Sequence, residues 1–276
     1  MKIAAFLVIF WPLVCLGDYG QSLYGQPELP RNFSHFTYVN PNAPKDGVLR
    51  AAMSSGFDTL NPFSINGIAP AGIHLLHDTL MKTNMDEPFA QYGLIAQDVQ
   101  ISADRRKVVF TLNPQAVFSD KTPILAEDVL FSFQTLKEKG LPLYRVYYQD
   151  VERAQVLDKR RIQFVLAKTE NRELPLILGQ LPVLSKAYWQ HKDFSKTSLE
   201  IPVTSGPYLI KEIEPNRSIT YMRNPEYWAE DLNVNVGFYN FKEIRYDTYL
   251  DSTVTVEAFR SGLIDVHLEN VAKRWH

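Results

Sequence analysis

One segment of this chain reads as helix without competition, and strand-like runs stand on both sides of it. Residues 126–139 place Val129, Phe133 and Leu136 at helical spacing, and the run stops at Gly140 with Pro142 beyond. Residues 107–112 ahead of it read as a strand. Behind it, residues 151–157 and 161–166 form two strand-like runs joined by Asp158 and Lys159, which predicts a hairpin. In the second arm Ile162, Phe164 and Leu166 share one face, because strand side chains alternate. The chain is therefore held to a mixed α and β class. Residues 253–261 predict a further helix, capped by Asp251 or Ser252, with Val256 and Phe259 inward and Gly262 ending it. Strands over 218–222 and 242–249 precede it. Residues 19–44, punctuated by Pro27, Pro30, Pro41 and Pro44, read as an irregular lead-in over the surface.

A length of 276 residues with 45% hydrophobic content is enough to fill a sizeable core. The formal charge of -2 offers no basic surface to a phosphate backbone, so nucleic acid is not an expected partner. Residues 1–17 differ from the rest: Lys2 is followed by an uncharged apolar stretch over 3–16 and then Gly17. That is the pattern of a Sec-type signal peptide, with a membrane anchor, for which the stretch is short, as the second reading, and it implies export to the periplasm. Cys15, the single cysteine, lies inside it, so the processed chain is expected to form neither disulfides nor thiolate metal sites.

Motifs for chemistry are sparse. His74 and His77 stand three apart, but two imidazoles are half a metal site; the plainer reading is two helix-surface histidines with Asp78 a surface residue beside them. Ser55 before Gly56 and Ser205 before Gly206 lack the spacing of a nucleophile elbow and read as turns. No glycine-rich phosphate loop occurs. The pairs Asp86 with Glu87 and Glu127 with Asp128 sit at helix or loop starts, where they favour a helix dipole. No cofactor is expected, and the chain is not read as an enzyme.

Four segments taken together say more than any one. Residues 47–63 (GVLRAAMSSGFDTLNPF), 96–136 (AQDVQISADRRKVVFTLNPQAVFSDKTPILAEDVLFSFQTL), 204–228 (TSGPYLIKEIEPNRSITYMRNPEYW) and 251–266 (DSTVTVEAFRSGLIDV) resemble, in order and spacing, the family 5 extracellular solute-binding proteins of ABC importers. Within that family, residues 38–45 (YVNPNAPK), 86–94 (DEPFAQYGL) and 171–184 (NRELPLILGQLPVL) are most similar to the Yej-type oligopeptide-binding proteins. Two positions depart from the family pattern. Lys121 stands where a permissive turn glycine is usual, and Leu125 where a threonine usually caps the helix.

The resemblance implies an α/β fold: a periplasmic-binding-protein type II-like lobe with an added mixed α+β subdomain and with the second lobe missing. Residues 18–58 and 196–276 would form that lobe, and residues 59–195 the subdomain packed on it. It implies a substrate-binding role for an ABC importer, with an oligopeptide ligand, murein-derived peptides included, an inner-membrane permease as partner, and a monomeric state. Ligand-facing positions would lie in residues 64–70, at Asn66 and Gly67, and at Tyr147 or Tyr148; Gly67 also reads as a turn glycine, and one tyrosine of the adjacent pair is expected to face a core. Gly206 and Pro207 would shape a turn near the hinge. With one jaw of a clamp, the chain alone is expected to bind peptide more weakly than a complete relative. The rival readings are an exported peptide or cell-wall hydrolase and a truncated fragment without a binding role.

Overall fold

The computed structural model describes residues 18–167 and 171–272; the segment read as a signal peptide lies outside them. In chain order, β1 (Gly20–Ser22) and β2 (Val48–Met53) are followed by a 3₁₀ turn (Ile73–Leu76) and by β3 (Met81–Thr83), β4 (Ala90–Gly93), β5 (Ala96–Ile101) and β6 (Lys107–Leu112). Next come α1 (Ala126–Lys139), α2 (Pro142–Tyr147), β7 (Val151–Asp158), β8 (Arg161–Leu166), α3 (Leu174–Gly179) and α4 (Lys186–Trp189). The remaining elements are β9 (Tyr208–Glu214), β10 (Ser218–Arg223), β11 (Glu243–Thr248) and α5 (Ser252–Arg260). The fold is mixed α and β, as the sequence pattern requires.

Three sheets organise the described residues. The largest core lies between the antiparallel sheet β5-β6-β8-β7 and α1. The expected hairpin is its right-hand pair in that order: β7 and β8 meet at Asp158, whose carboxylate accepts the main-chain N–H groups of Arg160 (2.9 Å) and Arg161 (3.0 Å). Ile162, Phe164 and Leu166 all point into this core. The stripe of α1 that meets them is Val129, Phe133 and Leu136, with Ser132 among them accepting from the Leu184 N–H at 2.8 Å. Leu125 supplies no side-chain cap. Instead the Asp128 carboxylate accepts from the main-chain N–H groups of Leu125 and Lys186, both at 2.9 Å, and so ties the helix start to α4.

The second sheet, β2-β11-β10-β9, pairs β2 with β11 in parallel and the rest antiparallel. Met53, Phe57, Leu60, Ile219, Tyr221 and Ile244 make its core, and the 3₁₀ turn adds Ile73 and Leu76. A third sheet has three strands in the order β1-β4-β3. Strand pairing crosses the divisions read from sequence: β1 lies within 18–58 yet bonds to β4 within 59–195, while the 3₁₀ turn of 59–195 packs on the β2 sheet. The lead-in is irregular in backbone but not superficial. Phe36 is fully buried, and with Phe33 it packs on Tyr92. Aromatic rings remove more apolar area from water than a surface course would allow.

One local expectation needs correction, and one holds. Helix α5 forms where expected, with Asp251 accepting from Thr253 and Val254 and Gly262 in the left-handed conformation (φ 73°) at its end. Its buried residue, however, is Ala258; Val256 is half-buried and Phe259 is exposed. The helix rests shallowly, so its small side chain makes the contact and the large one stays outside. Lys121 occupies the turn where a glycine would be free of strain: its φ is 68°, a conformation that crowds the Cβ of any L-residue. Its ammonium reaches the Glu226 carboxylate at 2.9 Å.

Candidate functional site

Residues 58–70 are held by short-range bonds that leave their turn facing outward. Thr59 Oγ1 accepts from the Asn61 N–H, and the Leu60 N–H donates to the Ser198 carbonyl at 2.8 Å. The buried Asn61 amide donates to the Phe194 carbonyl (2.9 Å) while its oxygen accepts from the Phe63 N–H (3.1 Å). Asp58 closes the loop, its carboxylate accepting from the Ile68 N–H at 2.6 Å and its own N–H donating to the Ile68 carbonyl at 3.0 Å.

Within that frame Asn66 and Gly67 are both exposed. The Asn66 amide donates to the Ser195 carbonyl at 2.9 Å, and its main-chain N–H to Ser64 Oγ at 3.1 Å. Gly67 has φ 85°, and a Cβ there would fall 2.7 Å from both Asp58 Oδ1 and Thr197 Cγ2. The glycine is thus required by the turn itself, whatever else the turn touches. Ile65 and Ile68 stand beside it, more than half exposed.

Helix α2 meets this loop at Phe63. The Leu141 N–H donates to the Phe63 carbonyl at 2.8 Å, and the Tyr144 ring lies 6.4 Å from that of Phe63. The adjacent tyrosines then part. Tyr147 is 38% exposed, along with Leu143 and Val146, whereas Tyr148 is 2% exposed and packs on Phe133 (5.2 Å) and Tyr144 (6.0 Å). Burial raises the Tyr148 hydroxyl far above its ordinary pKa. Of the two candidate ligand contacts, Tyr148 is a core residue and only Tyr147 presents a surface.

The histidines do not form the surface pair read from sequence. His74 is exposed on the 3₁₀ turn, while both ring nitrogens of His77 are buried under Phe63, 4.9 Å away, with no partner among the described residues. Burial, with a smaller push from His74, lowers the His77 pKa to about 4. Asp78 is likewise not a surface residue: it is 3% exposed and accepts from the Tyr227 hydroxyl (2.9 and 3.0 Å) and the Trp228 indole (3.1 Å). Burial raises its pKa to about 7, against the pull of those bonds and of Lys82. Lys82 donates to Asn235 Oδ1 (2.8 Å) and the Tyr239 hydroxyl (3.2 Å) and sits 3.7 Å from the Phe238 ring centre. This network clamps the loop around residue 230 onto the start of β3. Nothing local announces it, since Tyr227 and Trp228 lie 149 and 150 positions from Asp78.

Ser205 and Gly206 belong to the same junction. Both main-chain N–H groups donate to the Leu76 carbonyl (3.2 and 2.8 Å), and Ser205 Oγ accepts from the Asp78 N–H at 3.0 Å. Ser205 is therefore committed to a turn between the two larger sheets. Among the described residues no three His, Cys, Asp or Glu side chains converge on a common point. What the loop and α2 offer chemically is a rigid outward surface of main chain, amide, apolar side chains and one tyrosine. That surface suits non-covalent gripping.

The model of the bacterial extracellular solute-binding proteins, family 5 Middle, matches residues 90–275. A probable peptide-binding protein YejA of Agrobacterium fabrum is 41% identical over 93% of this chain, which spans 43% of that relative's length. A peptidoglycan-binding protein YepA of the same organism is 38% identical over 92% of this chain, again spanning 43% of the relative. Among solved structures, the oligopeptide-binding protein AppA of Bacillus subtilis, in complex with a nonapeptide, superposes with a TM-score of 0.66 at 16% identity. That likeness of fold covers 81% of this chain and 44% of the other.

Proposed function

Because the chain belongs to family 5 of the bacterial extracellular solute-binding proteins, we propose that it forms part of a periplasmic clamp that holds an oligopeptide for an ABC importer. An extended peptide offers the same main-chain donors and acceptors whatever its sequence, so a binder that pairs the backbone accepts many sequences. Residues 64–70, with Asn66 and Gly67, and Tyr147 on α2 are this chain's contribution to the grip. The observation that carries the reading is the meeting of the exposed loop and α2 at Phe63, through the Leu141 N–H on the Phe63 carbonyl, with the loop fixed from behind by the Asn66 amide on the Ser195 carbonyl and the Asp58 carboxylate on the Ile68 N–H. Such a surface loses little freedom on binding, which favours affinity. Peptides derived from murein are the proposed ligands, supported by the relative named for peptidoglycan binding. The partner is an inner-membrane permease, and the chain acts as a monomer that makes and breaks no covalent bond.

Because this chain supplies one face of the clamp, its affinity alone is expected to be weaker than micromolar. An NMR titration with tetra- to decapeptides and with murein peptides, carried to millimolar concentration, should show saturable shifts around residues 64–70 and α2. Tyr147→Ala and Asn66→Ala should each raise the dissociation constant about fivefold, ~1 kcal/mol. Shifts confined to other surfaces, or peptide cleavage during the titration, would defeat the proposal.

A further inference from the structure

Asn66 and Gly67 form the one asparagine–glycine pair of the sequence; every other asparagine is followed by proline or by a residue that carries a side chain. The pair has a chemistry of its own. Glycine has no Cβ to shield its main-chain nitrogen, so that nitrogen can reach the side-chain carbonyl carbon of the asparagine before it and close a small ring. The fold leaves the pair open to this attack. Both residues are exposed on the outward turn, and among the described residues no acceptor holds the Gly67 N–H. The Asn66 amide is tied only by its bond to the Ser195 carbonyl (2.9 Å), which at an exposed position competes with water.

We propose that Asn66 is a site of spontaneous covalent modification, deamidating and isomerising within the folded protein, and that its conversion unfastens the loop over residues 64–70. The Gly67 nitrogen forms a bond to Asn66 Cγ and gives up its proton, and the side-chain nitrogen leaves with that proton as ammonia. A cyclic imide remains. Water then adds to one imide carbonyl and breaks its bond to the Gly67 nitrogen. Opening at the former side-chain carbonyl gives aspartate; opening at the main-chain carbonyl gives isoaspartate, whose main chain runs through the side-chain carbon. Water is the only reactant consumed, and nothing is oxidised or reduced.

Either product undoes the anchor. An ionised carboxylate accepts but cannot donate, so an acceptor comes to face the Ser195 carbonyl where a donor stood. Isoaspartate also lengthens the main chain just ahead of Gly67, where room is short: a Cβ on that glycine would already fall 2.7 Å from both Asp58 Oδ1 and Thr197 Cγ2. The longer chain displaces the Ile68 N–H from the Asp58 carboxylate that accepts it at 2.6 Å. The modification stands on the chemistry of the turn; only its effect on peptide rests on the clamp reading of the proposed function.

The test is to age the purified chain at mildly alkaline pH, folded and in urea, and to follow each asparagine by peptide mapping with mass spectrometry and isoaspartyl methyltransferase labelling. In the folded chain Asn66 is expected to convert about tenfold faster than Asn42, which is also exposed but precedes Ala43. Asn66→Gln, whose longer side chain closes the ring less readily, should stop conversion at that position. Freshly prepared Asn66→Asp should reproduce the NMR shifts of the aspartate product around residues 64–70 and 195–198. Conversion in urea but not in the fold overturns the proposal, because the turn would then protect the pair. So does conversion in the fold that leaves the signals of residues 195–198 unmoved. Aged chain should bind tetra- to decapeptides about fivefold more weakly. If Asn66 converts and the loop loosens while peptide affinity holds, the proposed function fails and the modification stands; peptide binding at the loop by a chain whose Asn66 never converts does the reverse.

Discussion

Replacing Asp78 with asparagine tests a pair of buried groups that act on stability in opposite directions. Burial raises the Asp78 pKa from 3.8 to about 7. A carboxyl raised in this way stays protonated in the fold while it ionises in the unfolded chain. Its contribution is whole below its unfolded pKa and is lost as pH rises through about 7. At ~1.4 kcal/mol for each pH unit between the two values, the loss is at most ~4 kcal/mol. His77 runs the other way, its pKa lowered from 6.5 to about 4. Its contribution is whole above its unfolded pKa and is lost as pH falls through about 4, by ~3 kcal/mol on the same scale. Between about pH 4 and 7 these two contributions nearly cancel, so the pair adds little slope to the unsubstituted chain there. Asp78→Asn leaves the histidine unopposed, and stability should climb by ~3 kcal/mol across that window. His77→Phe leaves the carboxyl unopposed, and stability should fall by ~4 kcal/mol. Asparagine keeps an oxygen where Trp228 and Tyr227 donate, so the network is conserved in shape. Urea unfolding followed by tryptophan fluorescence at several pH values measures all three chains; a profile for Asp78→Asn that parallels the unsubstituted one would refute the reasoning.

Three further outcomes are expected. Gly206→Ala should destabilise by ~3 kcal/mol in urea melts, because the new Cβ would lie 2.5 Å from main-chain atoms of Leu75 and Leu76 that have no room to retreat. Tyr148→Ala should lower stability by ~3 kcal/mol or more, as for other buried aromatics. Tyr147→Ala should stay within ~0.5 kcal/mol while weakening peptide binding, so calorimetric melting and the NMR titration separate the pair. Lys121→Gly should raise stability by ~1 kcal/mol through relief of the left-handed conformation, since the exposed ion pair it gives up contributes little. Thermal melting reads the gain.

Much of the fold was legible because its signals are local. The bounds of α1 follow from apolar spacing and a terminal glycine, and the β7-β8 hairpin from two alternating runs around Asp158 and Lys159. Lys121 stands out in the sequence where a turn glycine is usual, because turn chemistry belongs to the residue itself, and its φ of 68° agrees. Of the candidate site, residues 64–70 came from resemblance, and the structure adds why Gly67 must be glycine. The adjacent tyrosines show the limit: a sequence says that one of two neighbours faces inward, but only the position of Phe133 decides that it is Tyr148.

The misreadings have one origin. Asp78 and His77 look like surface residues because charge and polarity are read one residue at a time. Burial is set by what arrives from elsewhere: Tyr227 and Trp228 over the carboxylate, Phe63 over the imidazole. Phe259 fails conversely, its apolar side chain predicting a core that α5 is too shallow to give it. By itself, then, the sequence determined the strongly patterned elements, α1 and the β7-β8 hairpin among them, and the family, since these depend on order along the chain. Which polar groups are sealed in, which tyrosine is exposed and which apolar side chain is left uncovered were decided by tertiary structure alone, because each depends on contacts between residues far apart in that order.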